Sequence, residues 1–352
     1  MARFSLLLRN EARLFRTSIP IHLVAILQPT VMYLLMSVIL VHPTFDVQVA
    51  RPTTDAGRAL VAVMTRVGSP IGLPYIRPVL VDWDGGPVGR QVVVVEETGG
   101  APTAVQHFGL IDSNLVKNYR NRLTAAGLIL WNDALGGRAV VVEQRPWLPH
   151  DVPYTVYFGM ALLPMTTFVA ASMLGAILAA QEFELGTVVE YRMAPLAPGW
   201  ILAARFVRLV LAASLSAAIL LVTVGLVSGA WPDAPWLVAL VLLPQAVIAG
   251  GVGTVAGLLL RRTIPAFLVA LVSSFVGWLM GSAFGLAAGF GGWYERLSRL
   301  TPFTHAVELL FPRYYGASVG DPAVSVLFLA AAAVGMVVLT AAVYRRRIVR
   351  QG

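Results

Sequence analysis

The chain has 352 residues, 57% hydrophobic and 12% charged, and a water-soluble domain of that length would have too little polar surface to cover itself. The lipid bilayer is therefore the first candidate solvent. The formal net charge of +8 reads as membrane topology and anionic-lipid contact rather than nucleic-acid binding.

Six stretches contain no Asp, Glu, Lys or Arg: residues 17–45, 152–181, 209–232, 234–260, 263–294 and 322–344. Each reaches the about 20 residues that a helix needs to cross a hydrocarbon layer of roughly 30 Å. The predicted fold is a polytopic α-helical membrane protein with six transmembrane helices. Pro29, Pro164 and Pro244 lie inside these runs and predict kinks, which neighbouring helices in a bundle can accommodate.

Residues 1–17 contain RFSLLLRNEARLFR, which places Phe4, Leu7, Leu8 and Phe15 on one helical side and Arg9, Arg13 and Arg16 on the other. That pattern suits an interfacial amphipathic helix, and equally a simple positive anchor. Residues 18–41 form the first span. Their apolar run is too long for the core of a cleaved signal, and VHPTFDVQVA after it offers no small-x-small cleavage site.

Residues 42–152 are too many for a connection and enough for a small domain. RPVLVDWDGG, GRQVVVVEETGG and GRAVVVEQRPW read as strands bounded by glycine turns. Asp112 to Ala134 reads as a helix with Leu115, Tyr119, Leu123, Ala126 and Leu130 along one face. The expectation is an inserted α/β extracytoplasmic domain between helices 1 and 2. With no cysteine in the chain, its own core must hold it together.

Residues 153–344 carry spans two to six. Between spans two and three, QEFELGTVVEYRMAPLAPGW places three glutamates within nine positions. Thr187 followed by Glu190 is a capping-box pattern, Gly186 permits a sharp turn, and Pro195 forbids a helical Ala194. A short, exposed helix of about seven residues results, either a docking element or an ordinary solvated loop. Span five holds Gly277, Gly281, Gly285 and Gly289 at G-x-x-x-G spacing, a stripe that lets another backbone approach closely, in the same subunit or in a second copy. The outer loop 291–320 gathers Trp293, Tyr294, Phe303 and Phe311 with Tyr314 and Tyr315, as an aromatic belt or as an outer gate along a substrate path beneath a lid formed by residues 42–151. Residues 345–352 form a basic tail.

An even number of spans puts both termini on one side. If that side is the cytoplasm, the inside segments hold 13 basic and 4 acidic residues, and the outside segments 13 basic and 14 acidic. Ten of the outside basic residues lie in one long loop, where charge hardly affects insertion. Both termini are therefore expected in the cytoplasm of a multi-pass plasma-membrane protein.

No catalytic set is visible. His22, His42, His107, His150 and His305 have no metal-ligand spacing, so no metal is expected. The single lysine, Lys117 in LIDSNLVK, belongs to no G-x-x-x-x-G-K loop, so the chain has no phosphate cradle and is not itself an ATPase.

The residues Glu182, Glu184, Gly186, Thr187, Glu190, Pro195 and Leu196, then Arg205, resemble the E-R-E-x-G-T pattern, its following Glu and its T-P step in permeases of ABC-2 type transporters. LSRLTPFTHAVELLFPRYYGAS, residues 297–318, is similar to that family's segment between spans five and six. Phe183, Ala194 and Ala197 depart from the family's Arg, Thr and Ser. The resemblance implies that residues 181–198 are a coupling helix docking on a separate cytoplasmic ABC ATPase, present in two copies. Glu182, Glu184, Gly186, Thr187, Glu190, Tyr191, Arg192 and Pro195 would form the contact, with the glutamates facing donors on the partner. It also implies ATP and Mg on that partner and no cofactor on this chain, a second permease copy, identical or related, surrounding membrane lipid, and export of an amphipathic, drug-like or lipid-like or glycolipid-like substrate. Two other classes stand beside it. An ion-coupled secondary transporter would need buried mid-membrane carboxylates or histidines, and a membrane sensor would use the outer module to bind a ligand.

Overall fold

The computed structural model describes Leu7, Arg9, Glu11 and residues 19–40, 44–68, 74–86, 91–98, 101–108, 113–134, 154–193, 197–283, 285–286 and 292–349. The chain forms two compact units, Ile39–Asp151 and a second that joins Met1–Val38 to Val152–Gly352. The second opens with helix α1 (Ile19–Leu40), which runs on through Pro29.

The inserted unit is α/β. Strand β1 (Phe45–Ala50), helix α2 (Asp55–Met64) and strand β2 (Ile76–Val81) form a parallel crossover, and β3 (Gln91–Thr98) and β4 (Ala101–Phe108) an antiparallel pair. The sheet order is β2-β1-β3-β4, with β1 parallel to both of its neighbours. Alternation in FDVQVA buries Val47 and Val49 and turns Asp46 and Gln48 outward, as a strand covered on one face requires. Helix α3 (Ser113–Ala134) supplies Leu123, Ala126 and Leu130 of its predicted face to the core, against Leu60, Val63, Met64 and Ile76. Thr54 caps α2 by accepting from the Gly57 amide. The predicted strand GRAVVVEQRPW lies outside the described residues.

The remaining elements are α4 (Tyr154–Glu184), α5 (Val188–Met193), α6 (Pro198–Ser228), α7 (Pro235–Leu260), α8 (Thr263–Met280), α9 (Gly292–Ser298), α10 (Pro302–Tyr315) and α11 (Pro322–Tyr344). A π-helical turn, Arg345–Val349, continues α11. Among the described residues, six helices are long and apolar enough to cross a membrane, namely α1, α4, α6, α7, α8 and α11 with its extension.

Two of them depart furthest from the charge-free runs. Helix α6 begins at Pro198 and takes in Arg205 and Arg208, both buried, because each is paired in place. Helix α8 ends at Met280, since the glycine-rich stretch after it has low helix propensity and Ser282 turns left-handed at φ 74°. Counting charges measures whether a segment tolerates lipid, not where its helix stops.

Helix α4 is the core of the bundle. From Thr155 to Ala180 every residue except Leu178 is buried, and α6, α7, α8 and α10 all pack against it. A helix apolar on every side occupies such a position. Its contact with α7 is backbone on backbone. A Cβ added at Gly253 would lie 1.9 Å from the Ser172 carbonyl oxygen, and one at Gly257 would lie 2.5 Å from that of Ala176. Polar side chains then fasten the neighbours: Ser172 Oγ lies 3.0 Å from Ser274 Oγ, and the Ser216 hydroxyl donates to the Ile26 carbonyl at 2.6 Å. The Trp278 indole donates to the Ala161 carbonyl at 2.9 Å, one residue beyond the carbonyl that Pro164 leaves free.

Gly253→Ala is expected to lower stability by at least about 2 kcal/mol, because no flexible side chain is available to move aside. Gly335→Ala on α11, where a Cβ meets nothing within 4 Å, should be neutral. Thermal unfolding of the two purified variants in detergent measures the difference, and equal melting temperatures would refute the close-packed α4–α7 contact.

Candidate functional site

The acidic stretch that stands out in the sequence is the turn from α4 through α5. Gly186 takes φ +73°, a left-handed conformation that allows α4 to stop at Glu184 and α5 to begin four residues later. Thr187 precedes α5, and its hydroxyl donates to the Glu182 carbonyl at 3.4 Å, which ties the turn to the end of α4 instead of serving α5 as the capping-box acceptor. Helix α5 has six residues, close to the seven expected.

The three glutamates have three different fates. Glu182 is 6% exposed and forms a two-pronged ion pair with Arg205 of α6, whose guanidinium also lies 5.9 Å from the centre of the Tyr344 ring. Glu184 accepts from the Thr263 amide at 2.8 Å and from the Thr263 hydroxyl, so it caps α8 from another helix where Arg262 provides no side-chain cap. Glu190 is exposed on α5. Of the three glutamates expected to face a partner, Glu182 turns inward, while Glu184 and Glu190 stay exposed. A carboxylate in an apolar bundle needs an internal cation, and Glu182 has one; Glu184 is engaged by the chain's own backbone.

What the turn presents outward is mainly apolar. Leu185 and Met193 are each 73% exposed, and Val189 is exposed between them beside Glu190. Val188, on the opposite side, is buried with Ala179, Ile201, Leu202, Leu258, Tyr344 and Ile348, and Leu7 and Phe183 pack against the same cluster. The residues read as a basic tail thus help to hold the turn from beneath. The N-terminal segment does the same: Leu7 faces in, Arg9 faces out, and buried Glu11 accepts from Arg208 at 2.8 Å, with His22 Nε2 3.0 Å from the same guanidinium. The side chains of Tyr191 and Arg192, and Pro195 as a whole, lie outside the described residues.

The other sequence candidates fall in different settings. Gly277 and Gly281 are covered from within the chain, since a Cβ on either would strike Phe303 of α10 at 2.6 and 2.2 Å. Because α8 ends at Met280, Gly281 and Gly285 do not continue a helical stripe, and Gly289 lies outside the described residues. Phe303 itself is buried, with its ring 4.9 Å from that of Phe168, and Phe311 is buried against Tyr315 at 4.6 Å. Tyr294 donates to the Leu279 carbonyl at 2.7 Å, while Trp293 is exposed.

A polar cluster escaped the sequence reading because its members are 20 residues apart. Ser325 at the start of α11 donates to Glu308 Oε2 at 2.8 Å, and its oxygen lies 3.0 Å from His305 Nδ1. His305 Nε2 lies 2.9 Å from the Arg299 carbonyl oxygen and donates to it. His305 and Glu308, one turn apart on α10, were the available signal.

Glu182→Ala is expected to cost about 3–5 kcal/mol, because it strands the Arg205 guanidinium in the bundle. Glu182→Leu combined with Arg205→Met should recover most of that loss. Chemical unfolding of the single and double variants measures the coupling, and additive losses would show that the two side chains do not act as a pair.

The sequence profile of the family described as ABC-2 type transporter matches residues 122–312, from within α3 to near the end of α10. No curated protein sequence matches the chain. The match spans more than half of the chain and includes the α4–α5 turn, four of the six apolar helices and the buried α10. The chain belongs to the ABC-2 type transporter family and is a multi-pass membrane permease.

Proposed function

We propose that this permease is driven by a separate cytoplasmic ABC ATPase, two copies of which bind ATP and Mg, and that residues 181–198 are the docking element. The observation that carries this reading is the exposed strip of Leu185, Val189 and Met193 on a turn fixed at its root by Glu182, Glu184 and Val188. An apolar knob on a rigid base suits insertion into a groove, and Glu190 supplies a rim charge that orients it. The permease works as a pair, identical or related, and exports an amphipathic, drug-like or lipid-like compound. Phe303 fills the hollow at Gly277 and Gly281, which favours a contact between copies on other apolar faces. Both termini and the α4–α5 turn lie in the cytoplasm, and the α/β unit lies outside.

Val189→Asp with Met193→Asp should leave folding intact, since both positions are exposed. It should reduce recovery of the ATPase with the permease, and permease-stimulated ATP hydrolysis, by about tenfold or more. Unchanged turnover in the purified complex would remove the turn from the mechanism.

The absence of cysteine makes orientation directly testable. A membrane-impermeant maleimide applied to intact cells should label Thr124→Cys on α3 and should label Glu190→Cys only after permeabilisation. The reverse pattern would invert the topology and exclude a cytoplasmic ATPase from docking at α5.

A further inference from the structure

Helices α7, α10 and α11 enclose a groove of about 440 Å³ that adjoins the His305–Glu308–Ser325 cluster and lies apart from the α4–α5 turn, a volume within the range of small-molecule sites. Its walls are apolar, with Leu240 and Val241 on one side and Val326 and Leu329 on the other. It extends from Leu237 to Pro244 along α7 and from Pro322 to Ala330 along α11, seven and eight residue steps, or roughly 10–12 Å at about 1.5 Å per step. Both helices begin at that end, so the groove runs from the bilayer boundary to nearly the depth of one leaflet, about half of a roughly 30 Å core.

Two charged side chains, Glu308 and Arg313 of α10, line this mainly apolar groove together with Ser318. Glu308 is mostly buried, and among the described residues the only basic side chain within ion-pair reach is His305, at 3.9 Å, whose ring is charged only when doubly protonated. The Ser325 hydroxyl orients its carboxylate but carries no charge. Arg313 meets Asp233 at 3.3 Å in a solvent-exposed contact, weak enough to share its guanidinium with a second anion. An ionisable group placed beside a membrane groove calls for a partner of opposite charge, and the mouth here offers one site of each sign.

We propose that the groove holds one zwitterionic aminophospholipid of the surrounding bilayer. Its primary ammonium rests on Glu308, its phosphate on Arg313, and one acyl chain lies between α7 and α11. An anionic lipid without an amine would meet the Glu308 carboxylate uncompensated. A choline headgroup cannot donate hydrogen bonds to that carboxylate, and a purely cationic amphiphile would leave Arg313 without its phosphate. The assignment does not depend on ATPase coupling, and its test requires no ATPase.

The full chain is reconstituted with equal amounts of phosphatidylethanolamine, phosphatidylcholine and phosphatidylglycerol, stripped with detergent, and weighed by native mass spectrometry. One phosphatidylethanolamine per chain should be retained in preference to the other two. Glu308→Gln should lower that retention about tenfold and erase the preference over phosphatidylcholine, the loss expected for a charged hydrogen bond. Arg313→Ala should lower retention of all three lipids. Val326→Trp, at an exposed position on the groove wall, should abolish retention without changing the melting temperature of the delipidated protein, and it carries the test alone should Glu308→Gln fail to melt cooperatively. Equal retention of the three lipids by the unaltered chain, or a phosphatidylethanolamine preference that survives Val326→Trp, would overturn the site. Retention of a single-chain cationic amphiphile in place of the phospholipid, unaffected by Arg313→Ala, would overturn the zwitterionic assignment.

Discussion

The helical unit depends on a contact from which side chains are missing. Gly253 and Gly257 bring α7 against the backbone of α4 at Ser172 and Ala176, and this closeness makes room for α6, α8 and α10 to pack around the same central helix. Lipid tails are as apolar as leucine, so burying leucine between helices gains little in a membrane, and close van der Waals contact together with interhelical hydrogen bonds must supply the cohesion. Ser172 illustrates both: its carbonyl faces Gly253, and its hydroxyl reaches Ser274 of α8. Removing the glycines would separate the hydroxyl pair as well as the backbones.

The same bundle settles its charges at the helix ends. Glu182 with Arg205 joins α4 to α6, Glu184 joins α4 to α8 through Thr263, and Arg208 joins α6 to Glu11 of the N-terminal segment and to His22 of α1. Each is a directional contact in a setting where an unpaired partner is costly, so they resist being broken one at a time. The turn that carries α5 is thereby tied to the ends of several helices together. The buried Val188 and Ile348 extend that linkage to the end of α11.

How much of this was legible depended on the kind of constraint. Lipid tolerance is a property of composition, so all six spans could be read from runs without charge, and the α3 face and strands β2 and β3 could be read from local periodicity. Pairing is a property of three dimensions. Arg205 and Arg208 fall outside the charge-free run 209–232, and the partners that bury them lie 23 and 197 residues away. Glu182 looked like a docking charge for the same reason. The glycine stripe on α8 was visible, but spacing cannot tell what fills it, and here Phe303 of the same chain does. The equivalent spacing at Gly253 and Gly257, which the central contact uses, is obscured in the sequence by the neighbouring Gly250 and Gly251 and has no extended repeat. His305, Glu308 and Ser325 are brought together only when α10 packs against α11.

The strand order of the α/β unit has a consequence for biosynthesis. β1 leaves the ribosome first yet ends between β2 and β3, and about 25 residues separate its end from the start of β2. At roughly 5–20 residues per second it waits a second or more for a neighbour, about a million times longer than the microseconds a hairpin takes to close. A lone strand with Val47 and Val49 on one face invites the wrong partner during that interval. Asp46 and Gln48 on its other face are what a waiting strand needs, since a charge and an amide next to each valine make any second sheet or apolar segment a poor fit on that side. When β2 arrives, Arg77 meets Asp46 through two hydrogen bonds of 2.7 and 2.8 Å, so the group that discouraged mispairing then confirms the correct register.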